Sequence, residues 1–273
     1  MKNILVLYHK DCYDGFGAAW AAWKKFGKKA DYLAIKHSDT PLKTINKIIF
    51  LLDISYGHSQ MKALLEKNEV ILIDHHLTNK DIPKIIPNSV FSLKNSAAYL
   101  AWRYFHKRAP PKLVFYLEDY DLWRSKLPNT GELSAYIHTK KFDFELWDEL
   151  SKDFENKNNR NEFAKYGKNI LEFEKRAIEF LISNAEVVSF AGHRIFAVNS
   201  PLFVDRLCHA LAVKKPPFAF AWSKRGDMIK VDLRSTSSFD VSKIARRFGG
   251  GGHKESAGFS FQASKKFPWK KIN

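Results

Sequence analysis

Short apolar runs alternate with amphipathic segments along the first part of the chain. Runs typical of buried strands lie at residues 4–8, 31–35, 48–52 and 70–73. Apolar residues at helical spacing lie at residues 15–26, 59–66, 96–105 and 112–120. This order predicts a parallel sheet with helices on both faces.

The pattern changes after about residue 132, where strand signals disappear until about residue 185. The polar, Asn-rich residues 152–162 predict a loop, and apolar positions within 163–184 predict a long connecting helix. Strand patterns at 186–190, 194–198, 218–222, 228–233 and 256–261, with helices at 203–212 and 241–247, predict a second, smaller α/β domain. We therefore expect an α/β protein with a parallel-sheet domain at 1–130, a helical connector at 131–185, a second domain at 186–263 and a basic tail at 264–273 that frays.

Composition limits the class of protein. A chain of 273 residues that is 45% hydrophobic can bury the cores of two domains. Lys and Arg number 45 against 29 Asp and Glu, a net charge of +16 that favours nucleotides or nucleic acid as partners, although scattered surface lysines would give the same balance. Two cysteines argue against a cysteine-rich zinc module or a disulfide framework. With no signal-like segment and no apolar run near the roughly 20 residues of a membrane span, we expect a soluble, cytoplasmic protein.

Metal-capable side chains follow the predicted strands. Because the carboxyl ends of parallel strands meet at one edge of a sheet, these side chains are expected to lie together. Carboxylates and imidazoles suit Mn²⁺, Mg²⁺, Fe²⁺ or Zn²⁺, and five or more oxygen and nitrogen donors favour the higher-coordinate ions over Zn²⁺. Any one acidic residue could instead cap a helix or form a turn. The predicted ligands are His9, Asp11, Asp14, Asp53, His75 and Asp119.

Roles within this group follow from the needs of a two-ion site. Two divalent ions need roughly seven ligands, with one carboxylate shared between them. Asp53 is the natural bridge, because it is the lone carboxylate at the end of the central strand. Asp74 and His76 suit roles behind the ligands and toward the substrate. Cys12 lies inside the first motif and is expected to serve packing.

The motifs together resemble those of the DHH phosphoesterase superfamily. They are His9-x-Asp11-x-x-Asp14-Gly15, then Asp53, then Asp74-His75-His76, then Glu118-Asp119-Tyr120-Asp121. The run from Gly249 to Gly258 resembles the glycine-rich signature of the DHH-associated substrate-binding domain. The resemblance implies an enzyme with two Mn²⁺ ions, for which Mg²⁺ or Co²⁺ could substitute.

The resemblance also implies a ligand set for each ion. One ion would take His9, Asp11 and Asp53, the other Asp14, Asp53, His75 and Asp119, with His76 facing the scissile phosphate. Two residues separate Asp11 from Asp14 where many members have one, so the role of Asp11 is less secure than that of Asp14. Asp121 is the alternative to Asp119, which is preferred because it follows the helix-like residues 117–118 and aligns better with the family motif.

Substrate contacts are expected in the second domain. Backbone N–H groups of Gly250, Gly251 and Gly252 could approach an anion, with His253 adding a donor, and a flexible loop is the alternative. Arg234, beside Ser235, could hold a phosphate in its guanidinium fork or be a surface arginine at a strand end. Trp123 is expected to stack on a base, or to pack in the core or between the domains.

The function implied is Mn²⁺-dependent hydrolysis of short RNA or DNA oligonucleotides, or of small nucleotide phosphoesters, by a water activated between two ions. Chain length favours the nano-RNase or phosphoadenosine-phosphate phosphatase type, whereas the charge favours a RecJ-like exonuclease on longer single strands. A cyclic-dinucleotide phosphodiesterase and a non-catalytic nucleic-acid-binding protein are further alternatives. A family II pyrophosphatase fits the glycine-rich motif less well. Homodimer formation is left open.

Overall fold

The computed structural model describes residues 3–37, 39–236 and 239–272. The chain divides into two compact units, Met1–Leu171 and Glu172–Asn273. No helix in the described part of the chain is long and apolar enough to cross a membrane.

The N-terminal unit is built on a parallel sheet. Its strands are β1 (Ile4–His9), β2 (Ala30–Ile35), β3 (Ile48–Leu52), β4 (Glu69–Asp74) and β5 (Val90–Phe91). Within the described residues the strand order is β2-β1-β3-β4-β5, and every neighbouring pair is parallel. The carboxyl ends of β1, β3 and β4 therefore lie side by side, as the sequence predicts.

Helices cover both faces of this sheet. They are α1 (Tyr13–Phe26), α2 (His58–Leu65), α3 (Ala97–Phe105), α4 (Lys112–Asp121), α5 (Thr130–Ile137) and α6 (Phe144–Glu155). On one face Val6 and Phe50 join a core with Trp20 of α1 and Trp102 of α3. On the other face alternate strand residues pack with Met61 of α2. The doubly covered parallel sheet predicted from the sequence is confirmed.

The C-terminal unit contains a mixed sheet. Helix α7 (Lys157–Ser183) leads into β6 (Glu186–Phe190), β7 (His193–Asn199), α8 (Val204–Lys214), β8 (Phe218–Arg225), β9 (Met228–Ser235), α9 (Val241–Arg247), β10 (Gly251–Gly252), β11 (Ser256–Gln262) and β12 (Lys270–Lys271). Over the residues described, the order is β10-β11-β9-β8-β7-β6-β12. Leu207 of α8 and Ile244 of α9 belong to separate apolar cores on the two faces.

The prediction of a loop at residues 152–162 is wrong. Helix α6 continues to Glu155, and α7 begins at Lys157. Only Asn156 interrupts the helices, with φ −82° and ψ 122°, and its Oδ1 accepts a hydrogen bond from the backbone N of Asn158 at 2.8 Å. Polar residues here form the exposed face of helices whose other side buries Phe154, so polarity indicated exposure rather than a loop.

The frayed basic tail is a second correction. Lys270 and Lys271 pair with Ser189 and Val188 of β6. Trp269 packs against the second core, with its ring centroid 4.7 Å from that of Phe220. The lysines are exposed, but the tryptophan between the two lysine pairs holds the segment to the sheet.

Candidate metal centre

Asp53 occupies the residue immediately after strand β3. Its φ of +63° places it in the left-handed region, which side-chain-bearing residues adopt at a cost. The backbone N of Asp53 still donates to the carbonyl O of Ile73 at 2.9 Å, so the sheet holds the residue there. Its side chain is only 1% exposed. The fold therefore keeps a buried carboxylate at the end of the central strand.

The two carboxylate oxygens of Asp53 face different neighbours. Nδ1 of His9 lies 3.2 Å from Oδ2, and the thiol of Cys12 donates to that same oxygen at 3.1 Å. Nε2 of His75 lies 3.2 Å from Oδ1. Burial alone would raise the pKa of Asp53, but the adjacent imidazoles of His75, His9 and His76 outweigh it and hold that pKa well below its usual range. Asp53 is thus ionised and central.

A second group surrounds His75. Its Nε2 lies 3.6 Å from Oδ2 of Asp14 and 3.5 Å from Oδ2 of Asp121. Asp14 sits in the first turn of α1, and its carboxylate accepts the backbone N–H groups of Ala97 and Ala98, at 2.7 and 3.0 Å, where α3 begins. These bonds fix the carboxylate of one helix against the N-terminus of another.

The electrostatics of the cluster are those of a site short of positive charge. Among the residues described, no Lys or Arg forms an ion pair with Asp14, Asp53 or Asp121, so the imidazoles supply the countercharge. Burial lowers the pKa of His75, but the adjacent carboxylates of Asp53, Asp14 and Asp121 raise it to about 10. Burial and the charge of Asp14 raise the pKa of Asp121. A bound cation would stabilise the ionised form of Asp121 and supply the positive charge that His75 now provides.

Asp74 differs from Asp53 although both end neighbouring strands. It is fully buried and accepts four hydrogen bonds: Oδ1 from the backbone N of His75 at 2.7 Å, from the backbone N of His76 at 3.2 Å and from Nδ1 of His76 at 2.8 Å, and Oδ2 from Asn79 at 2.7 Å. These contacts hold the His76 ring by one nitrogen and, against the effect of burial, raise its pKa to about 9.

Two predicted ligands stay outside the cluster. The carboxylate of Asp119 accepts the backbone N–H groups of Lys126 and Leu127, each at 3.0 Å, and the hydroxyl of Thr130. It therefore holds the loop after α4, and the geometry favours Asp121, which lies beside His75, over the expected Asp119. Asp11 is exposed, with φ +58°. Three of the groups of ligand atoms close enough to share an ion are His9–Cys12–Asp53, Asp14–His75–Asp121 and Asp53–Asp74–His76, each within 4.8 Å.

Comparisons with known proteins identify relatives of this chain. A family model, the DHHA1 domain, matches residues 186–268. Uncharacterized protein R106 of Acanthamoeba polyphaga mimivirus is 31% identical, and the alignment covers 98% of this chain and 70% of that protein. The chain belongs to the DHH phosphoesterase superfamily.

Solved structures of this superfamily share the fold. The DHH domain of a protein assigned to a family of ribosomal proteins matches with a TM-score of 0.59 at 12% identity, covering 96% of this chain and 82% of that one. RecJ from Thermus thermophilus, solved in complex with Mn²⁺, matches with a TM-score of 0.53 at 17% identity, covering 95% of this chain and 49% of that one. These likenesses show that the chain shares the fold of both proteins.

The glycine run of the DHHA1 domain has a structural role. Backbone N–H groups of Gly249 and Gly250 donate to the carbonyls of Arg246 and Ala245. A Cβ at Gly250 would lie 2.0 Å from the carbonyl O of Gly258, so only glycine allows the backbones this close. Gly251 and Gly252 form strand β10 against β11. This packing disfavours the expected anion cradle at Gly250–Gly252.

Arg234 and Ser235 are also occupied. Nε of Arg234 donates to Asp205 at 2.9 Å, Nη2 donates to the same carboxylate, and Nη1 donates to the carbonyl of Leu233 at 2.7 Å. A phosphate would have to displace Asp205, which disfavours the expected fork. The hydroxyl of the buried Ser235 donates to the carbonyl of Phe239 at 2.7 Å. His253 is half-buried, and its backbone N donates to Ser256.

One residue near the metal centre, His37, is absent from the sequence-based prediction, and another, Cys12, has a different environment from the one expected. His37 follows β2, and its ring centroid lies 5.0 Å from that of His9 and 6.1 Å from that of His76. The signal was available, because His37 follows a predicted strand as His9 and Asp53 do. Cys12 is expected to serve packing, but its thiol contacts the carboxylate of Asp53.

Proposed function

We propose that this protein is a two-ion phosphodiesterase that hydrolyses short oligonucleotides or small nucleotide phosphoesters. The observation that supports it best is the placement of Asp53, whose Oδ2 faces His9 and Cys12 while Oδ1 faces His75. A carboxylate with a different ligand group at each oxygen is the arrangement that two adjacent ions require.

The donor set fits divalent cations. Oδ1 of Asp53 and Oδ2 of Asp121 are buried oxygens without a hydrogen-bond partner in the described part of the molecule. Such atoms are costly unless a cation or water satisfies them. Their oxygen chemistry, with imidazole nitrogens, supports Mn²⁺, with Mg²⁺ or Co²⁺ as substitutes. When bound, the ions would activate a water and offset charge on the phosphoryl oxygens.

The chain's own residues would then orient the phosphoester. Asp74 holds Nδ1 of His76, which fixes the ring and turns Nε2 toward the role of hydrogen-bond donor to a phosphoryl oxygen. With a pKa raised to about 9 in the metal-free protein, His76 carries a proton at neutral pH and can make a charge-assisted hydrogen bond. His37, beside His9, is placed to add a further contact.

An aromatic surface favours nucleotides over inorganic phosphates. It consists of Tyr13, Tyr120, Trp123 and His138. Tyr13 stacks on His138 at 4.2 Å, His138 meets the edge of Tyr120 at 5.0 Å, and Tyr120 stacks with Trp123 at 6.3 Å. Tyr13 and Tyr120 each neighbour a carboxylate of the centre, Asp14 or Asp121. Trp123 is 57% exposed, which argues against the core alternative and supports base stacking.

The test of the function uses metal-free protein titrated with Mn²⁺. Substrates are 5′-labelled RNA and DNA from dinucleotides upward, with a cyclic dinucleotide and pyrophosphate as comparators. We expect hydrolysis, fastest on chains of about two to five nucleotides and only modestly salt-dependent, because few phosphates are contacted. Asp53→Asn should lose the activity, whereas Asp31→Asn, an exposed carboxylate on the same sheet, should keep it.

Three outcomes would contradict parts of this proposal. Nucleic-acid binding without hydrolysis in Mn²⁺, Mg²⁺ or Co²⁺ would indicate a binding protein. A rate that rises steadily with length and falls steeply with salt would indicate a RecJ-like exonuclease. Faster hydrolysis of pyrophosphate than of the oligonucleotides would reject a nucleotide as the substrate.

Base stacking has its own variant. Trp123→Ala should raise the KM for dinucleotides roughly 5- to 100-fold, the effect of losing one stacked base. Tyr166→Ala, which removes another aromatic side chain that is 60% exposed, is the matched control. Equal KM values in both variants would reject Trp123 as a stacking residue.

A further inference from the structure

The environment of Cys12 is that of a ligand. Cys12 is the N-cap of α1, and its Sγ accepts the backbone N–H of Gly15 at 3.4 Å while its thiol points at Oδ2 of Asp53, 3.1 Å away. Nδ1 of His9 lies 3.2 Å from the same oxygen. Sulfur, nitrogen and oxygen ligand atoms therefore face a common space, each within 4.8 Å of the others.

The second cysteine shows what packing looks like in this protein. Cys208 is fully buried in an apolar core with Leu207 and Leu211, and its Sγ lies 3.7 Å from a backbone carbonyl. Cys12, by contrast, lies among a carboxylate and an imidazole. The packing role expected for Cys12 therefore describes Cys208 instead.

The adjacent residue Asp11 does not occupy the ligand position beside His9 and Asp53, which Cys12 reaches instead. Asp11 is exposed and takes a left-handed φ of +58°, and it belongs to none of the groups of clustered ligand atoms in the described residues. The chain then enters α1, whose cap residue Cys12 directs its side chain inward. Gly15 keeps the space open, because a Cβ there would lie 3.1 Å from Oδ2 of Asp53.

We propose that Cys12 is a sulfur ligand of the ion held by His9 and Asp53, and that this half of the centre selects a thiophilic ion. The inference rests on the proposed two-ion function and adds the identity of the ion. A sulfur, nitrogen and oxygen donor set suits Zn²⁺, Fe²⁺ or Co²⁺, whereas the oxygen-rich group of Asp14, His75 and Asp121 suits Mn²⁺ or Mg²⁺. The centre would then hold two different metals.

The test is spectroscopic and independent of turnover. Metal-free full-length protein is titrated with Co²⁺, and binding is followed by calorimetry and by the thiolate-to-cobalt charge-transfer absorption in the near ultraviolet. Wild type should develop this band. Cys12→Ser and Cys12→Asp should lose it while Cys12→Asp still binds Co²⁺, and the control Cys208→Ala should keep it. Competition between Zn²⁺ and Mn²⁺ should favour Mn²⁺ more strongly in Cys12→Asp than in wild type.

The failures are distinguishable. Co²⁺ that binds wild type without the band, or a band that persists in Cys12→Ser, overturns the sulfur ligand and leaves the two-ion function standing. Wild-type protein that binds no Co²⁺, Zn²⁺ or Mn²⁺ overturns both. Circular dichroism of each variant establishes that it is folded, and Cys12→Asp supplies a second, oxygen-donor variant if Cys12→Ser fails to fold.

Discussion

Asp53 and Asp74 form a natural pair for mutation, since both are buried aspartates at the ends of adjacent strands. Asp53 has an oxygen without a hydrogen-bond partner among the described residues, whereas the oxygens of Asp74 accept four hydrogen bonds. We expect Asp53 to bind metal directly and Asp74 to act by orienting His76. Substitution by Asn preserves the shape of each side chain and removes the charge.

The magnitude for Asp74→Asn follows from its contacts. An Asn Oδ1 can still accept the donors that now reach Oδ1 of Asp74, and the amide of Asn79 can reverse to accept from the new amide. What is lost is the charge assistance to His76, worth about 1.5–3 kcal/mol. If His76 contacts the transition state, kcat/KM should fall roughly ten- to hundredfold. Asp53→Asn should reduce turnover by several orders of magnitude, because both ions lose a shared ligand.

The assay combines metal content with kinetics. Each protein is loaded with Mn²⁺, dialysed and analysed by mass spectrometry, and NMR titration of the metal-free protein follows the pKa of His76. Asp74→Asn should retain its metal while the pKa of His76 falls from about 9 toward the ordinary value. Asp53→Asn should lose metal. Equal metal loss in the two variants, or unchanged kinetics in Asp74→Asn, would refute the division of roles.

Three further predictions concern neighbouring positions. Asp119→Ala should lower the free energy of unfolding by about 3 kcal/mol and leave the metal content unchanged. Asp121→Ala should lower the metal content and leave the free energy of unfolding nearly unchanged. Urea unfolding and metal analysis measure the two quantities. Gly15→Ala should weaken metal binding, measured by calorimetry, because the new Cβ would lie 2.8 Å from the Cβ of His9 and would displace its imidazole ring. The metal-free protein should lose stability in urea as pH rises: the pKa values of His75 and His76 are raised when folded, so their contribution is complete below about 6.5 and is lost toward pH 9–10.

Controls sharpen these three. Gly17→Ala also introduces a clash on α1, with a Cβ 2.8 Å from Leu117, but in the apolar core, so it should destabilise without weakening metal binding. Metal loss in Asp119→Ala would restore that residue as a ligand. Stability of the metal-free protein that rises between pH 6.5 and 9 would show that the imidazoles are not charged by the cluster.

Strand-end positions were predictable because they depend only on period and order. An apolar strand followed at once by Asp53, or by Asp74 and two histidines, puts polar side chains at one sheet edge whatever the details. The choice between Asp119 and Asp121 depends on the rotation of α4. Residues two apart on a helix point about 200° from each other, so only one can face the sheet. Nothing local to the sequence fixes that rotation.

Cys12 and residues 152–162 show the same limit in other forms. A free cysteine is usually buried as a small apolar residue, and only the position of Asp53, 41 residues later, reveals the partner of Cys12. A polar stretch predicts exposure correctly but cannot tell an exposed helix face from a loop. In both cases the deciding contact comes from elsewhere in the chain.

Strand β12 has a practical consequence for handling the protein. It covers the outer side of β6, at one end of the mixed sheet in the described residues. A bare sheet edge offers unpaired backbone groups to other molecules and promotes aggregation. Removing residues 269–273, or fusing a tag that displaces Trp269 from its contact with Phe220, should expose β6. We expect solubility to fall before catalysis is affected. An affinity tag is therefore better placed at the N-terminus.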